Sequence, residues 1–571
     1  MATFALPMMV VVFVVAAALT FVVAPGLIWL YGHSVRRSMT SRAGLSDSAG
    51  NLTPIAAAHP TNSTCPSLDL RLLDARGDPN QPRQQSAQLR AARQSFWSTA
   101  VVYAAAGAVH AAVATILLFS FSKIEFLPYR TFSVYWAHLW PAVLVFGLFW
   151  LSGWRTRVLL AAGYFAVFLT LALSSHATTM TRFGITFGPV EQMFLIWGLG
   201  ALLPTVLLFF FLNRRIRAVG PLVYVFMLVA VLGGALANAL SFSPGAAKFV
   251  VGTAVKLKLD VGTVVWSFVA IGFVLFLIPG WLGAAWIRRR YEAKQLSDQS
   301  VMIDSIWMVF TLSQILMDLA QERGVWAILG LTSFLSYRIA RSIGFRILRR
   351  RSPPCEGVKL LLLRVFGSRR RSEKLFDVLT ARWRYYGSVQ MIAGTDLATS
   401  QLEPHEFLDF LRGRLTRYFI ANQDQLESRV EQIDLLPDFD RRFRVTEFFC
   451  FDDTWRLALR RLTHRCDRVL MDLRGFTSQH AGCIFELQTL ISDVPPDRVL
   501  LLVDSTTDLP YLRQVLAGAC LHIVSGSANA KNDTVALRVL EIRGRIAQGV
   551  QRILEVFDEP GAAAQVQEKS A

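Results

Sequence analysis

Long apolar runs dominate the first half of the chain. A membrane-spanning α-helix needs about 20 predominantly apolar residues, and seven runs approach or exceed that length. They predict spans over residues 7–31, 98–120, 132–153, 158–174, 192–212, 218–240 and 262–287. We therefore expect a first transmembrane helix at 1–31, a loop at 32–97 and a six-helix transmembrane region at 98–290, together a membrane α-helical bundle of about seven spans.

The loop 32–97 is rich in Ser, Thr, Asn, Pro, Gln and Arg. A segment of this composition buries too little apolar surface to offset the entropy lost on ordering. We expect it to be flexible, basic and cytoplasmic.

Lys and Arg are unevenly distributed among the connections between spans. Cytoplasmic connections collect basic residues. With the N-terminus outside, the inside connections carry 17 Lys and Arg and the outside ones carry 6. This predicts a protein of the inner (plasma) membrane with its N-terminus outside and its C-terminal domain in the cytoplasm. The net charge of +18 follows largely from the same bias, so the expected partner is the lipid bilayer and not nucleic acid.

Residues 291–352 are apolar but carry polar positions at helical spacing. Polar residues recur every seven positions at first, and a basic stripe follows at Arg338, Arg346 and Arg349. This pattern is typical of amphipathic helices lying on anionic lipid, here at the inner face of the membrane. A further transmembrane hairpin is the alternative, although an Asp inside the membrane is costly.

After Pro353 and Pro354, short strand-like runs alternate with helical patterns. Strands are predicted at 359–366, 389–393, 444–451, 468–473, 498–504 and 521–524. Helices are predicted near 371–386, 404–421, 453–466, 480–493, 509–518 and 533–556. Several strand runs are continuously apolar, as strands covered on both faces must be. We expect a flavodoxin-like α/β domain with a mostly parallel sheet at 353–557 and a disordered tail at 558–571.

Charged and small residues follow several of these strands. Ligands of open α/β sheets bind beyond the carboxyl ends of the strands. A cluster of carboxylates facing arginines there could hold Mg²⁺ or a phosphorylated ligand. The alternative is that the Asp residues cap helices and the arginines touch lipid phosphate. The candidate ligand-binding residues are Gly367, Arg369, Arg370, Asp396, Asp472 and Arg474.

One segment of the domain resembles a known family. Residues 466–490, "CDRVLMDLRGFTSQHAGCIFELQTL", read as a buried strand, a polar loop and a helix. They resemble the strand, loop and W-C-x-x-E-L helix of Toll/interleukin-1 receptor (TIR) domains. Cys483, Glu486 and Leu487 match that motif, while Gly482 stands in place of its aromatic residue.

The resemblance implies an activity for one residue. In enzymatic TIR domains the glutamate of this helix is catalytic in the cleavage of NAD⁺, so Glu486 would take that role and NAD would be the substrate. A carboxylate can stabilise the positive charge that develops on the ribose. The alternative is a glutamate near a helix start that interacts with the helix dipole.

Other chemistries find no support in the sequence. It contains no P-loop, no G-x-G-x-x-G, no H-E-x-x-H and no G-x-S-x-G motif, and no C-x-x-C pair that would suggest a metal site. We expect a multi-pass membrane protein presenting a TIR-like signalling, sensing or effector domain, with self-association through that domain. The alternatives are a membrane-anchored NAD-cleaving enzyme and a transporter or channel regulated by its soluble domain.

Overall fold

The structure is a computed structural model. The residues that it describes are 2–40, 67–74, 86–122, 126–151, 153–174, 180–182, 185–211, 220–320, 328–351, 356–365, 369–393, 404–411, 413, 419–451, 454–521, 523, 528–530, 534–543 and 546–559. The chain divides into two compact units. One, the helical unit, comprises Met1–Leu30, Ser98–Ser352 and Leu402–Leu411, and the other, the α/β unit, comprises Tyr31–Trp97, Pro353–Gln401 and Arg412–Ala571.

The described residues of the helical unit are almost entirely helical. A small antiparallel hairpin, β2 (Met180–Arg182) with β3 (Ile185–Phe187), interrupts it. The helices are α1 (Ala2–Thr40), α2 (Ala87–Ser122), α3 (Pro128–His138), α4 (Trp140–Phe149), α5 (Trp154–Leu173), α6 (Pro189–Trp197), α7 (Leu203–Phe211), α8 (Gly220–Ser241), α9 (Pro244–Leu257), α10 (Val261–Glu292), α11 (Asp298–Ala320) and α12 (Leu331–Arg351).

Seven helical segments of the described chain are long and apolar enough to cross a membrane, which agrees with the predicted number. Six of them coincide with predicted spans, but the seventh is α11. The segments are Val11–Arg37, Ala87–Phe121, Pro128–Phe149, Trp154–Leu173, Leu222–Ser241, Val261–Glu292 and Asp298–Asp318.

The predicted span at 192–212 is helical, but a π-helical turn, Gly198–Leu202, breaks its α-helical hydrogen bonding between α6 and α7. Pro204 has no backbone N–H with which to bond the carbonyl of Gly200 four residues earlier. The Ser313 hydroxyl donates to that carbonyl instead, at 3.3 Å. The break therefore follows from proline chemistry and is compensated by a side chain from α11.

Helix α11 lies inside the helical unit and not on a surface, which corrects the interfacial interpretation of this segment. Of its most apolar 18 residues 72% are buried, against 6% to 44% in the other six candidate spans. Its polar positions contact protein groups: Thr311 Oγ1 lies 3.0 Å from His110 Nε2, and Asp304 forms an ion pair with Arg341 of α12. The polar stripe thus marks contacts between helices.

Helix α12 shows a buried and an exposed side. Tyr337, Arg341 and Phe345, spaced four residues apart, are buried, and the Tyr337 hydroxyl donates to Asp304 Oδ1 at 3.2 Å. Arg346 and Arg349 are exposed and Arg338 is partly buried. Their contact with lipid stays a prediction.

The α/β unit contains an eight-stranded parallel sheet in the order β1-β10-β9-β8-β4-β5-β7-β6. Its strands are β1 (Ser67–Asp74), β4 (Leu360–Arg364), β5 (Val389–Ala393), β6 (Phe419–Ile420), β7 (Val445–Cys450), β8 (Arg468–Asp472), β9 (Val499–Val503) and β10 (Thr534–Glu541). The later helices of the chain are α13 (Arg369–Trp383), α14 (Pro404–Leu411), α15 (Gln423–Glu431), α16 (Trp455–Arg465), α17 (Ala481–Asp493), α18 (Leu509–Leu521) and α19 (Ile546–Asp558). A parallel sheet was predicted and is confirmed.

Both faces of the sheet are apolar and covered. Alternate residues of a strand point to opposite faces, and in β4 Leu361 and Leu363 pack with α16, α17 and α18. Leu360 and Leu362 pack on the other face with α13 and α19. This explains why β4 reads as an uninterrupted apolar run.

Two predictions near the end of the chain are wrong. Leu521, expected to open a strand at 521–524, ends α18 and is 61% exposed. Residues 533–556, expected to be one helix, form β10 followed by α19. In β10 every second residue from Val535 to Val539 is buried, a period of two that fits a strand between β1 and β9.

The predicted flexibility of 32–97 is wrong for the segment that forms β1. Ser67–Asp74 pairs in parallel with Thr534–Glu541 along its whole length. Further along, the Ser86 hydroxyl accepts from the backbone N–H of Leu89 at 3.1 Å and caps α2, while the Ser86 N–H donates to Asp558 at 2.8 Å. The loop thus supplies an edge strand and a helix start to the α/β unit.

Helix α14 belongs to the helical unit although its sequence follows β5. Arg288 Nη1 of α10 lies 2.8 Å from Asp409 Oδ1 of α14, and both side chains are only 7% exposed. The segment after β5 therefore contributes a buried ion pair to the helical unit.

A first prediction concerns the buried pair Asp304–Arg341. Asp304→Asn leaves the Arg341 charge buried without its counter-ion, which should cost about 3 kcal/mol or more. Asp304→Asn/Arg341→Gln should recover much of that loss, and Glu292→Gln, at a pair whose acidic side chain is 59% exposed, should cost less than about 1 kcal/mol. Thermal unfolding of the full chain in detergent measures all three, and an unchanged midpoint for Asp304→Asn would contradict the assignment.

A second prediction concerns β1. A fragment starting at residue 353 lacks β1, exposes the edge of β10 and should self-associate. Adding residues 67–97 as a separate peptide should give a monomer by light scattering. In that peptide Leu70→Asp, against the apolar core, should abolish the rescue, whereas Leu72→Asp, at a 57% exposed position, should not. A fragment that is monomeric without the peptide would refute the structural role of β1.

Candidate functional site

Four ionisable side chains are buried where β4 and β8 end and the chain turns into the helix after β8. Arg364, the last residue of β4, is opposite Asp472, the last residue of β8, in the parallel register. Arg474 follows two residues after Asp472, and Glu486 lies on α17. Their exposed fractions are only 5%, 2%, 6% and 3% for Arg364, Asp472, Arg474 and Glu486.

Asp472 and Arg474 form a bidentate ion pair. Arg474 Nε donates to Asp472 Oδ1 and Arg474 Nη2 donates to Asp472 Oδ2, both at 2.7 Å. Burial alone would lower the pKa of Arg474, but the hydrogen bonds and charge of Asp472 outweigh it and the pKa is raised. Gly475, at φ +79, makes the tight turn that follows. The pair is a fixed, charged feature of the sheet edge.

Glu486 is a buried carboxyl group with an unsatisfied oxygen. Its Oε2 atom has no hydrogen-bond partner among the described residues. Burial raises the pKa of Glu486 to about 8, and the positive charge of Arg364 opposes the rise only in part. The carboxyl group is therefore largely protonated at neutral pH.

The position of Glu486 does not fit the helix-dipole interpretation. Helix α17 begins at Ala481, so Glu486 is its sixth residue. Interactions with the helix dipole decline beyond the first turn. Burial near Arg364, and not the helix terminus, determines the electrostatics of this carboxyl group.

The neighbours of Glu486 anchor α17 on the sheet. Cys483 and Leu487 are each 1% exposed and belong to the apolar core. Cys483 Sγ lies 4.0 Å from the carbonyl oxygen of Arg364, which places the start of α17 against the end of β4. The three residues that match the TIR motif thus hold one face of this helix.

The structure brings only some of the predicted ligand-binding residues together. The structure brings Asp472 and Arg474 together, as their positions after one strand suggested. Arg369 and Arg370 lie in the first turn of α13, whereas Gly367 and Asp396 lie outside the described residues. Arg364 was missed, and the only signal for it was a single charge at the end of the apolar run "LLLLR".

The described residues at this sheet edge include carboxylates, which are potential metal ligands. No cluster of three or more His, Cys, Asp or Glu residues suited to a metal ion occurs within the described ranges. The carboxylate of Asp472 is engaged by Arg474.

The chain was compared with protein-family models, with curated proteins and with solved structures, and no match was found. The TIR resemblance consequently rests on Cys483, Glu486 and Leu487. Their geometry, with an uncommitted carboxyl oxygen beside an arginine, carries the functional argument.

A third prediction follows from the raised pKa of Glu486. A carboxyl group with a higher pKa in the folded state destabilises the fold as it ionises, so the cost is absent below pH 4.5 and grows up to about pH 8. Glu486→Gln should therefore stabilise the fold at pH 9 and raise the unfolding midpoint. At about 1.4 kcal/mol per pKa unit, the free energy of unfolding should increase by up to a few kcal/mol. The gain should vanish near pH 4.5.

Thermal unfolding of the full chain between pH 4.5 and 9 measures this effect. Glu541→Gln is the matched control, because Glu541 ends β10, where it is ion-paired with Arg543 and 25% exposed. A Glu486→Gln variant that is less stable than the parent at pH 9 would show that the carboxylate is favourably paired.

Proposed function

We propose that this protein is a multi-pass inner-membrane protein whose TIR-like cytoplasmic domain senses a phosphate-bearing small ligand. The observation that carries the proposal is the burial of Arg364, Asp472, Arg474 and Glu486 at one end of two adjacent strands. Buried charges are costly unless they are paired or serve a function. Here Glu486 Oε2 has no partner in the described part of the chain.

The strand order supports a flavodoxin-like interpretation of the domain. Numbered along the chain, β4, β5, β8, β9 and β10 form the order 2-1-3-4-5, with β7 and β6 added beyond β5 and β1 beyond β10. In such sheets the order reverses between the first and third strands, here β4 and β8. Ligands of open α/β sheets bind at this switch point, which is where the four buried ionisable side chains are found.

The residue types favour an anionic ligand. Arg364 and Arg474 end or follow the two strands, and α13 begins with Arg369 and Arg370 soon after β4. Guanidinium groups and helix N-termini both bind phosphate. NAD⁺ and ADP-ribose carry this chemistry, and the TIR resemblance makes them the first ligands to test.

The protonation state of Glu486 favours sensing over catalysis. Stabilising a positively charged ribosyl transition state requires an ionised carboxylate within reach of the sugar. With a pKa of about 8 and 3% exposure, Glu486 is better suited to donate a hydrogen bond. The NAD-cleaving enzyme remains the second hypothesis, supported by the position of Glu486 beside the switch point.

The proposed orientation and the transporter alternative rest on the helical part. The inside connections carry 17 Lys and Arg and the outside ones 6, which supports a cytoplasmic α/β domain.

Transport usually uses ionisable groups inside the membrane, and Asp304 in α11 is already neutralised by Arg341. This pairing makes transport the weakest of the three hypotheses.

A fourth prediction tests the sensing function. The full chain in lipid nanodiscs should bind ADP-ribose in equilibrium dialysis. Arg370→Gln should weaken binding about tenfold or more, since a hydrogen bond to a charged group contributes about 1.5 to 3 kcal/mol. Lys374→Gln is the matched control, because Lys374 is an exposed cation further along α13, and it should bind like the parent.

Nicotinamide release from NAD⁺ in the same preparation distinguishes the second hypothesis. Release that falls at least about 100-fold in Glu486→Gln would establish catalysis. No binding of either ligand, or equal binding by the parent and Arg370→Gln, would refute the proposed site.

A further inference from the structure

Helix α10 ends in a cluster of basic and aromatic residues. It is the least buried candidate span, with 6% of its most apolar 18 residues buried. Near its C-terminal end lie Trp286, Arg288, Arg289 and Arg290. Trp286 is 41% exposed. Trp and basic residues concentrate where membrane helices meet the head groups, so this turn lies at the expected depth of lipid phosphates.

Two arginines from different helices lie over the indole of Trp286. The guanidinium carbon of Arg290 is 4.9 Å from the centre of the ring, and that of Arg338 in α12 is 5.1 Å from it. Cation–π contacts at such distances orient the guanidinium groups. The aromatic ring therefore holds two positive charges close to one another.

Neither of these arginines has an acidic partner within the part of the chain that the structure describes. Their neighbours differ: Arg288 is paired with Asp409 and Glu292, and Arg341 is paired with Asp304. Burial lowers the pKa of Arg338, and the charges of Arg341 and Arg290 lower it further against the opposing effect of Asp304. The cluster thus has an excess of positive charge and unused N–H donors.

We propose that Trp286, Arg290 and Arg338 form a binding site for the phosphate of an anionic phospholipid. Each guanidinium donates to the phosphate oxygens, and the indole packs against the glycerol and upper acyl chains. The site rests on the proposed membrane insertion of α10 and is independent of any ligand of the α/β domain. It also gives Arg338 a more specific role than general attraction to the membrane surface.

The lipid-exposed position of α10 favours a phospholipid over a dissolved phosphate. A free anion would gain only the two guanidinium contacts, which water and salt weaken at an exposed site. A phospholipid adds apolar contact along α10 below Trp286, where Leu282 is 62% exposed and Ile278 is 54% exposed. Both ends of one lipid molecule therefore find a complementary surface.

A fifth prediction tests this site by native mass spectrometry of the full chain in detergent, titrated with phosphatidylglycerol or phosphatidylcholine. The parent should retain phosphatidylglycerol preferentially. Arg290→Gln and Arg338→Gln should each weaken its binding about tenfold or more, because each removes charge-assisted hydrogen bonds to the lipid phosphate. Arg290→Lys should bind with intermediate affinity, because it keeps the charge but loses the planar guanidinium.

Arg289→Gln is the matched control. Arg289 is exposed, next to Arg290 and without a ring contact in the described structure, so its loss removes the same charge but should leave lipid retention unchanged. If Arg289→Gln and Arg290→Gln lost phosphatidylglycerol binding equally, the site would be overturned in favour of nonspecific attraction. If the parent retained phosphatidylcholine as well as phosphatidylglycerol, the choice of an anionic lipid would be overturned. If glycerol phosphate, which has no acyl chains, stabilised the parent against heat as much as phosphatidylglycerol does, the choice of a phospholipid would be overturned. ADP-ribose binding by these variants reports on the α/β domain separately.

Discussion

The cost of placing a charge away from water determines much of this structure. In the helical unit Asp304 is tolerated because Arg341 and the Tyr337 hydroxyl both contact it. Arg288 is tolerated because Asp409 lies 2.8 Å away. Such pairs gain little net free energy over apolar residues of the same shape, but they are strongly unfavourable when only one partner is present. They therefore fix which helices pack together, more than they add stability.

The same constraint acts differently in the α/β unit. Asp472 is neutralised by Arg474 through two hydrogen bonds, whereas Glu486 meets the cost of burial by holding its proton. A protonated carboxyl group and a paired carboxylate can thus lie near one another at the same sheet edge. An anion arriving there would meet arginines and a hydrogen-bond donor, and not a cluster of negative charge.

The sequence predicted what depends on local pattern and missed what depends on distant partners. Continuous apolar runs identified β4, β8 and β9, because strands covered on both faces leave no other signature. Residues 67–74 were missed because their alternation is short, lies among polar residues and acquires meaning only beside β10. The seven-residue spacing of polar positions correctly indicated one helical face, which includes Asp304 and Thr311. Whether that face meets lipid head groups or other helices depends on Arg341 and His110, which lie far away in the chain.

The candidate site shows the same division. Asp472 and Arg474 could be found because they follow a recognisable strand, and Glu486 because it matches a motif. Arg364 could not be singled out, since its role depends on β4 being adjacent to β8. Two strands separated by more than 100 residues in the chain became neighbours only through the crossover topology.

The pairing of β1 with β10 also constrains how the protein can be made. Ser67 and Thr534, whose hydroxyls lie 2.9 Å apart, are separated by 467 positions in the chain. During synthesis the first of these strands emerges before nearly all the apolar helices, and its partner emerges after them. Contacts between residues so far apart in the chain form slowly. Until β1 and β10 pair, their unpaired edges favour aggregation. Completion of the sheet is thus a late event that must follow translation of the helical part.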